Sequence, residues 1–241
     1  KQLTFETEVD WQETHKLLKV DMNTNLQTDE LLSEIQFGHV RRPNHKSRPY
    51  DADRFEVCQH KWSAFAEPKR GIALLNDCKY GISADGGRMS LTLLKSAAAP
   101  DPFADKGIHK FTYALLLFAG EEGKSDVVRH GYELNCPVHM VQEKIPFAQN
   151  LKEKSFIRID NPSIILDTVK LAEDGSGDLV LRLYESTGGL EKAKISFGFP
   201  VAKASFTDLL EEGEDQFSVE NNCMDVTLKA FEIKTVRIRR F

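Results

Sequence analysis

The sequence predicts an all-β protein, a large antiparallel β-sandwich with very little helix. Three observations carry that reading. Apolar residues come in many short, strand-length runs, the clearest of which alternate with period two. Clusters of Gly, Pro, Asn and Asp interrupt these runs about every 8 to 15 residues, the spacing of strands and turns. The pattern lacks the amphipathic helices that a parallel α/β fold needs as crossovers. With 241 residues the chain has room for one large β domain or two small ones, and for a substantial core.

Leu3 with Phe5 and Val9 with Trp11 mark the opening strands, and residues 15–20 the next. Residues 21–29 are polar and Asn-rich, hence turn; 31–40 return to strand; 41–53, charged and broken by Pro43 and Pro49, form a loop too long for a tight hairpin. The stretch 54–83, RFEVCQHKWSAFAEPKRGIALLNDCKYGIS, organises the rest as two strands around a loop with Pro68 and Gly71. Its second strand, 71–75, is apolar on both alternating faces, so it is expected to be covered on both sides. It stops at Asn76-Asp77-Cys78-Lys79-Tyr80-Gly81. Such a polar strand end suits binding groups held by a rigid scaffold, and equally suits a solvated turn.

Residues 84–88 (ADGGR) predict a hairpin turn and 89–94 its return strand. Residues 97–106, with Pro100 and Pro102, are loop; 109–119 are strand. One short helix is expected around 125–131, with Ser125 as its cap. The composition break at 136–154 is the candidate seam, read as a crossover within one domain because Val138, Met140 and Ile145 are apolar. Beyond it, 156–159 and 163–172 read as strands. Leu179, Leu181 and Leu183 share one face, and Ala193, Ile195, Phe197 and Phe199 share another, so 179–184 and 193–199 are expected to pair as a hairpin. Short strands follow at 206–210, 217–219 and 224–228, with Asn221-Asn222 as a tight turn. Phe231 and Ile233 keep one phase and Val236 and Ile238 the other, which predicts a bulge near Lys234-Thr235.

A net charge of −5 argues against a nucleic-acid-binding face, and no apolar run approaches the roughly 18 residues that span a bilayer. Cys58, Cys78, Cys136 and Cys223 are far apart without a C-x-x-C pair, which points to buried or half-buried free thiols. The seven histidines show no metal-ligand spacing, and no phosphate-binding glycine motif occurs. Asp51, Asp53, Asp101 and Asp105 read as turn chemistry, since aspartate caps turns through neighbouring backbone amides. Trp11, Trp62 and Phe65 are candidates to stack on a sugar ring or to fill the core.

The phrases RFEV (54–57), HKW (60–62) and ALLNDCKYG (73–81) resemble the C-terminal region of family 38 glycoside hydrolases, the class II α-mannosidases, in the branch that contains the cytosolic enzymes. The likeness continues through EIQFGHVRRPNH (34–45), SLTLLKSAAAPDPFADKGIHKFTYALL (90–116) and LVLRLYESTGG (179–189), so it covers most of the chain. It implies a mutarotase-like sandwich serving as the non-catalytic C-terminal part of an exo-acting retaining enzyme that removes terminal α-mannosyl residues. In that family the nucleophilic aspartate and the divalent metal, zinc, belong to an upstream catalytic domain. Nothing here matches their motifs, so no catalytic residue, metal ligand or cofactor is assigned within these residues. The opening KQLTFETEVDW already reads as sheet, and the chain is expected to be a piece of a longer protein.

What the resemblance leaves to this region is one wall of the sugar pocket. It puts Asn76, Asp77, Lys79 and Tyr80 forward as candidate contacts, with Arg41, Arg42 and His45 of RRPNH as a second group. Expected partners are an α-mannoside or oligosaccharide and the N-terminal catalytic domain, with no nucleic acid and no membrane; homo-oligomerisation stays open, and the expected location is cytoplasmic. The alternative is an autonomous carbohydrate-binding or mutarotase-like sandwich, which should show a histidine and a glutamate facing each other across an open concave sheet.

Overall fold

Strands account for nearly all the regular structure in the computed structural model, which describes residues 1–142, 154–213 and 215–240. The chain divides into two compact units, Lys1–Val138 and His139–Phe241, each with two antiparallel sheets. The expectation of a crossover inside one domain is therefore replaced by a division at Val138 and His139; Ile145, on which that expectation partly stood, lies outside the described residues.

The first unit runs β1 (Gln2–Trp11), β2 (Leu18–Asn23), β3 (Glu30–Ile35), β4 (Gly38–Pro43), α1 (Pro49–Ala52), β5 (Val57–Cys58), β6 (Trp62–Ala66) and β7 (Gly71–Asn76). It continues through β8 (Gly81–Asp85), β9 (Arg88–Leu94), β10 (Gly107–Phe118), a 3-10 turn (Gly120–Gly123) and α2 (Lys124–Asn135). One sheet has the order β1-β10-β7-β6-β3-β4 and the other β2-β9-β8-β5. Leu31, Phe65, Leu74 and Phe111 of the first sheet pack with Met22, Ile82, Met89 and Leu91 of the second. The opposite face of β6 and β7, with Trp62, Ala64, Ala73 and Leu75, is buried too, and α2 lies over these strands and β10. That double cover is why 71–75 reads as apolar on both faces.

The stretch 54–66 belongs to both sheets: β5 pairs with β8, whereas β6 pairs with β7 and β3. Residues 31–40 are a hairpin, not one strand, with Glu34 opposite His39 and Phe37 at a positive φ of 54°. Neither Gln36 nor Phe37 is a usual turn former, so the sequence hides that turn. The helix is longer than expected, ending at Asn135.

The second unit runs β11 (Ile157–Ile159), β12 (Ile164–Leu171), β13 (Leu179–Glu185), β14 (Glu191–Phe197), β15 (Val201–Thr207), β16 (Asp215–Phe217), β17 (Cys223–Leu228) and β18 (Ile233–Arg240). Its sheets have the orders β11-β14-β17 and β12-β13-β18-β15-β16. β13 and β14 are thus not the expected hairpin. Their apolar faces, Leu179, Leu181 and Leu183 on one and Ala193, Ile195 and Phe197 on the other, meet in one core as facing sheets. Period-two alternation shows which face is buried but not whether its partner lies beside or above it. The bulge expected near Lys234-Thr235 is absent as well: β13 and β18 pair in unbroken register from Tyr184↔Ile233 to Leu179↔Ile238. Phe231 breaks the phase because it lies in the preceding turn, at a φ of 57°.

Candidate functional site

The turn after β7 is built by its own side chains. Asn76 is buried; its amide nitrogen donates to the His60 carbonyl (2.8 Å) and its amide oxygen accepts from the Lys79 backbone N–H (2.6 Å). From α2, Asn135 Nδ2 donates to the Asn76 carbonyl (2.9 Å). Asp77 Oδ2 accepts from the Thr112 backbone N–H (2.8 Å), while its Oδ1 is buried with no hydrogen-bond partner. Cys78 is exposed as a residue, but partial desolvation of its sulfur and the neighbouring Asp77 carboxylate push the thiol up to about 11, so it stays protonated at neutral pH. Lys79 Nζ sits 4.5 Å from the centroid of the Phe111 ring, and Tyr80 is exposed with its ring against His60. Of this group, Asn76 and half of Asp77 serve the turn itself. Lys79 and Tyr80 remain presented at its rim.

The second group is divided by the strand it sits on. Successive residues of β4 point to opposite faces, so Arg41 and Arg42 part company. Arg41 is exposed and pairs with Glu30 (3.0 Å) and Glu121 (3.3 Å). Arg42 lines a small cleft of about 30 Å³ together with His45, Asp51, Arg54 and Phe55. Burial lowers the Arg42 guanidinium from its ordinary value, with Cys58 opposing that shift and Arg54 adding to it; its Nη1 is buried without a hydrogen-bond partner. His45 is exposed, with its Nδ1 2.8 Å from the Ser47 hydroxyl.

Asp51 is the member of this cleft that a sequence reading passes over as a turn residue. It is 3% exposed and accepts from the Arg48 backbone N–H (3.0 Å) and Arg48 Nε (3.2 Å) through Oδ2. Its Oδ1 has no hydrogen-bond partner and lies 3.7 Å from Arg54 Nη1. Phe55 beside it is 81% exposed. No signal of spacing marks Asp51, Arg54 and Phe55 as a group; the fold of the 44–56 loop makes them one.

Two family models match. Residues 1–103 fit the glycosyl hydrolases family 38 C-terminal domain, and residues 163–236 fit the family 38 C-terminal beta sandwich domain, more than half the chain between them. The chain belongs to glycosyl hydrolase family 38. Among its relatives are alpha-mannosidase G of Dictyostelium discoideum, 40% identical over 97% of this chain, and alpha-mannosidase 2C1 of Homo sapiens, 38% identical over 95%. The chain spans 22% of the length of each. A solved α-mannosidase from Enterococcus faecalis V583 superposes with a TM-score of 0.81 over 99% of this chain and 27% of its own, at 21% identity, a likeness of fold.

Several expectations about chemistry can be placed on this family 38 region. Trp62 and Phe65 are buried in the core, so neither presents a face to a sugar. Trp11 is half-buried, its indole N–H donating to the Ser96 hydroxyl. All four cysteines are free thiols and Cys223 is half-buried, as expected, whereas Cys58, Cys78 and Cys136 are exposed. Among the described residues, no three His, Cys, Asp or Glu side chains gather as a metal-binding group. Glu34 and His39, though cross-strand neighbours, are both buried, with Glu34 paired to Lys61 at 2.9 Å and His39 against Trp62. Neither faces an open sheet as a mutarotase pair would.

Proposed function

We propose that this chain is the non-catalytic C-terminal part of an α-mannosidase, an exo-acting retaining glycosidase, and that it supports the fold and one wall of the sugar pocket. The observation that supports this most is the match of two family 38 C-terminal models in order along the chain, with relatives named as α-mannosidases across nearly all of it. In this reading the upstream catalytic domain holds the nucleophile and the metal, and α-mannosides or oligosaccharides are the substrates. Lys79 and Tyr80 are the members of the 76–80 turn placed to reach a ligand, because Asn76 and one Asp77 oxygen are committed to backbone amides. The free thiols fit a reducing, cytoplasmic location.

The test is kinetic. In the full-length protein, Lys79→Ala is expected to lower kcat/KM on an aryl α-mannoside about tenfold, the worth of one charge-assisted hydrogen bond, with an unchanged melting temperature. Tyr80→Ala, at an exposed ring, should also lower it without unfolding. Unchanged kinetics for both would remove this turn from the pocket; absence of any α-mannosidase activity in the intact protein would remove the whole reading.

A further inference from the structure

β1 is the last strand of the six-stranded sheet, and its outer edge is open. Among the described residues it pairs only with β10, in unbroken register from Gln2↔Leu116 to Trp11↔Gly107. The Leu117 N–H donates to the Lys1 carbonyl (3.1 Å), so in this antiparallel ladder the odd-numbered residues of β1 exchange hydrogen bonds with β10. The even-numbered ones, Gln2, Thr4, Glu6, Glu8 and Asp10, therefore turn their backbone N–H and C=O groups toward the outer edge. Natural sheets blunt such an edge with a proline, a bulge, an inward-pointing charge or a very short strand. β1 uses none of these: it is ten residues long, regular and free of proline, and its charges all sit on the face away from the core.

The two faces of the strand define what pairs there. Leu3, Phe5, Val9 and Trp11 share the face turned toward the core, yet none is buried: Leu3 is 58% exposed and the others are half-buried. That apolar face is short of cover on the side where a further strand would lie. The opposite face carries Glu6, Glu8 and Asp10. Glu8 pairs with Lys110 at 2.8 Å, and among the described residues no cation pairs with Glu6 or Asp10. A second copy joined through β1 would set one row of acids beside another, and like charges across strands destabilise a sheet. A basic strand reverses the sign. We propose that β1 accepts an added strand from another polypeptide, an extended segment in which lysine or arginine alternates with apolar residues. Its cations face Glu6, Glu8 and Asp10, and its apolar side chains lie beside Leu3, Phe5 and Val9. The edge amides and carbonyls supply the affinity, and the alternation supplies the specificity. The proposal stands apart from the α-mannosidase reading, since no sugar enters it.

The probe is a peptide of alternating lysine and valine, matched in length to β1, and the readout is hydrogen exchange, by NMR in the 241-residue chain and by mass spectrometry in the full-length protein. Exchange is expected to slow at the amides of Gln2, Thr4, Glu6, Glu8 and Asp10, while the odd-numbered amides, already bonded to β10, change little. A peptide of alternating glutamate and valine should not bind. Glu6→Lys combined with Asp10→Lys should weaken the lysine peptide about tenfold and admit the glutamate peptide. Both side chains are exposed, so that variant should keep the wild-type melting temperature. Glu6→Pro, which removes one edge donor and leaves the β10 ladder intact, should weaken the lysine peptide as well. Unchanged exchange at the even-numbered amides under millimolar peptide would overturn the proposal, and so would equal binding of the two peptides. Slow exchange of those amides without any peptide would overturn it too, because a second copy or the protein's own remainder would then hold the edge.

Discussion

At Glu185 the chain buries a carboxylate completely and answers it completely. The residue is 0% exposed, and its oxygens accept from the Thr187 N–H (2.7 Å), the Thr187 hydroxyl, the Gly188 N–H (2.8 Å) and the Phe231 N–H (3.0 Å). Burial alone would push this carboxyl up, but those donors hold it below its ordinary value of 4.5. A carboxylate whose folded value is depressed stabilises the protein above its unfolded value, and that contribution fades as the pH falls through the folded one. Glu185→Gln is therefore expected to cost about 2 kcal/mol at pH 7, and the gap from wild type should shrink steadily as the pH falls below 4.5. Urea unfolding of both proteins at a series of pH values measures it; a gap independent of pH would contradict this account of Glu185. Arg42 Nη1 and Asp51 Oδ1 show the opposite condition, buried polar atoms without a hydrogen-bond partner, although Asp51 Oδ1 lies 3.7 Å from Arg54 Nη1. Polarity at a strand end is visible in sequence, but whether a polar group is used up by the fold is not. Asn76 and Arg42 look alike as candidates until their partners are known, and Asp51, which reads as a turn residue, turns out to share the cleft with Arg42.

The elements show where sequence periodicity is informative and where it fails. β7, apolar on both faces, is covered on both faces, and the ADGGR turn joins β8 to β9 as its glycines demand. What periodicity leaves out is the third dimension: β13 and β14 carry matching apolar stripes and lie in different sheets. α2 was only partly visible: Ser125, expected to cap it, lies inside a helix that begins at Lys124 out of a 3-10 turn without a side-chain cap. That turn depends on Gly120, which has a φ of +67° and sits so close to the 67–70 loop that a Cβ would lie 2.1 Å from the Glu67 carbonyl oxygen. Gly120→Ala should displace the 3-10 turn and loosen α2 from β7, at a cost of about 1–3 kcal/mol. Hydrogen exchange is the direct readout: faster exchange confined to 120–135 is expected, and wild-type protection throughout would show that α2 is held without the turn.

At the scale of the whole molecule, the all-β class, the family likeness and the place of the seam at 136–154 were legible, while the reading of that seam as a crossover inside one domain does not match the division at Val138 and His139. The reason is physical. Val138 and Met140, which seemed too apolar for a linker, are exposed, so apolar composition at a seam does not imply a shared core. No helix among the described residues is long and apolar enough to cross a membrane. In the proposed function these sheets support a sugar-cleaving centre whose reactive groups lie elsewhere in a longer polypeptide. The most direct test is the hydrolysis of an aryl α-mannoside by the purified 241-residue chain, beside the full-length protein at equal concentration. The full-length protein should turn the substrate over and the isolated chain should not. Turnover by the isolated chain would contradict the account at its centre.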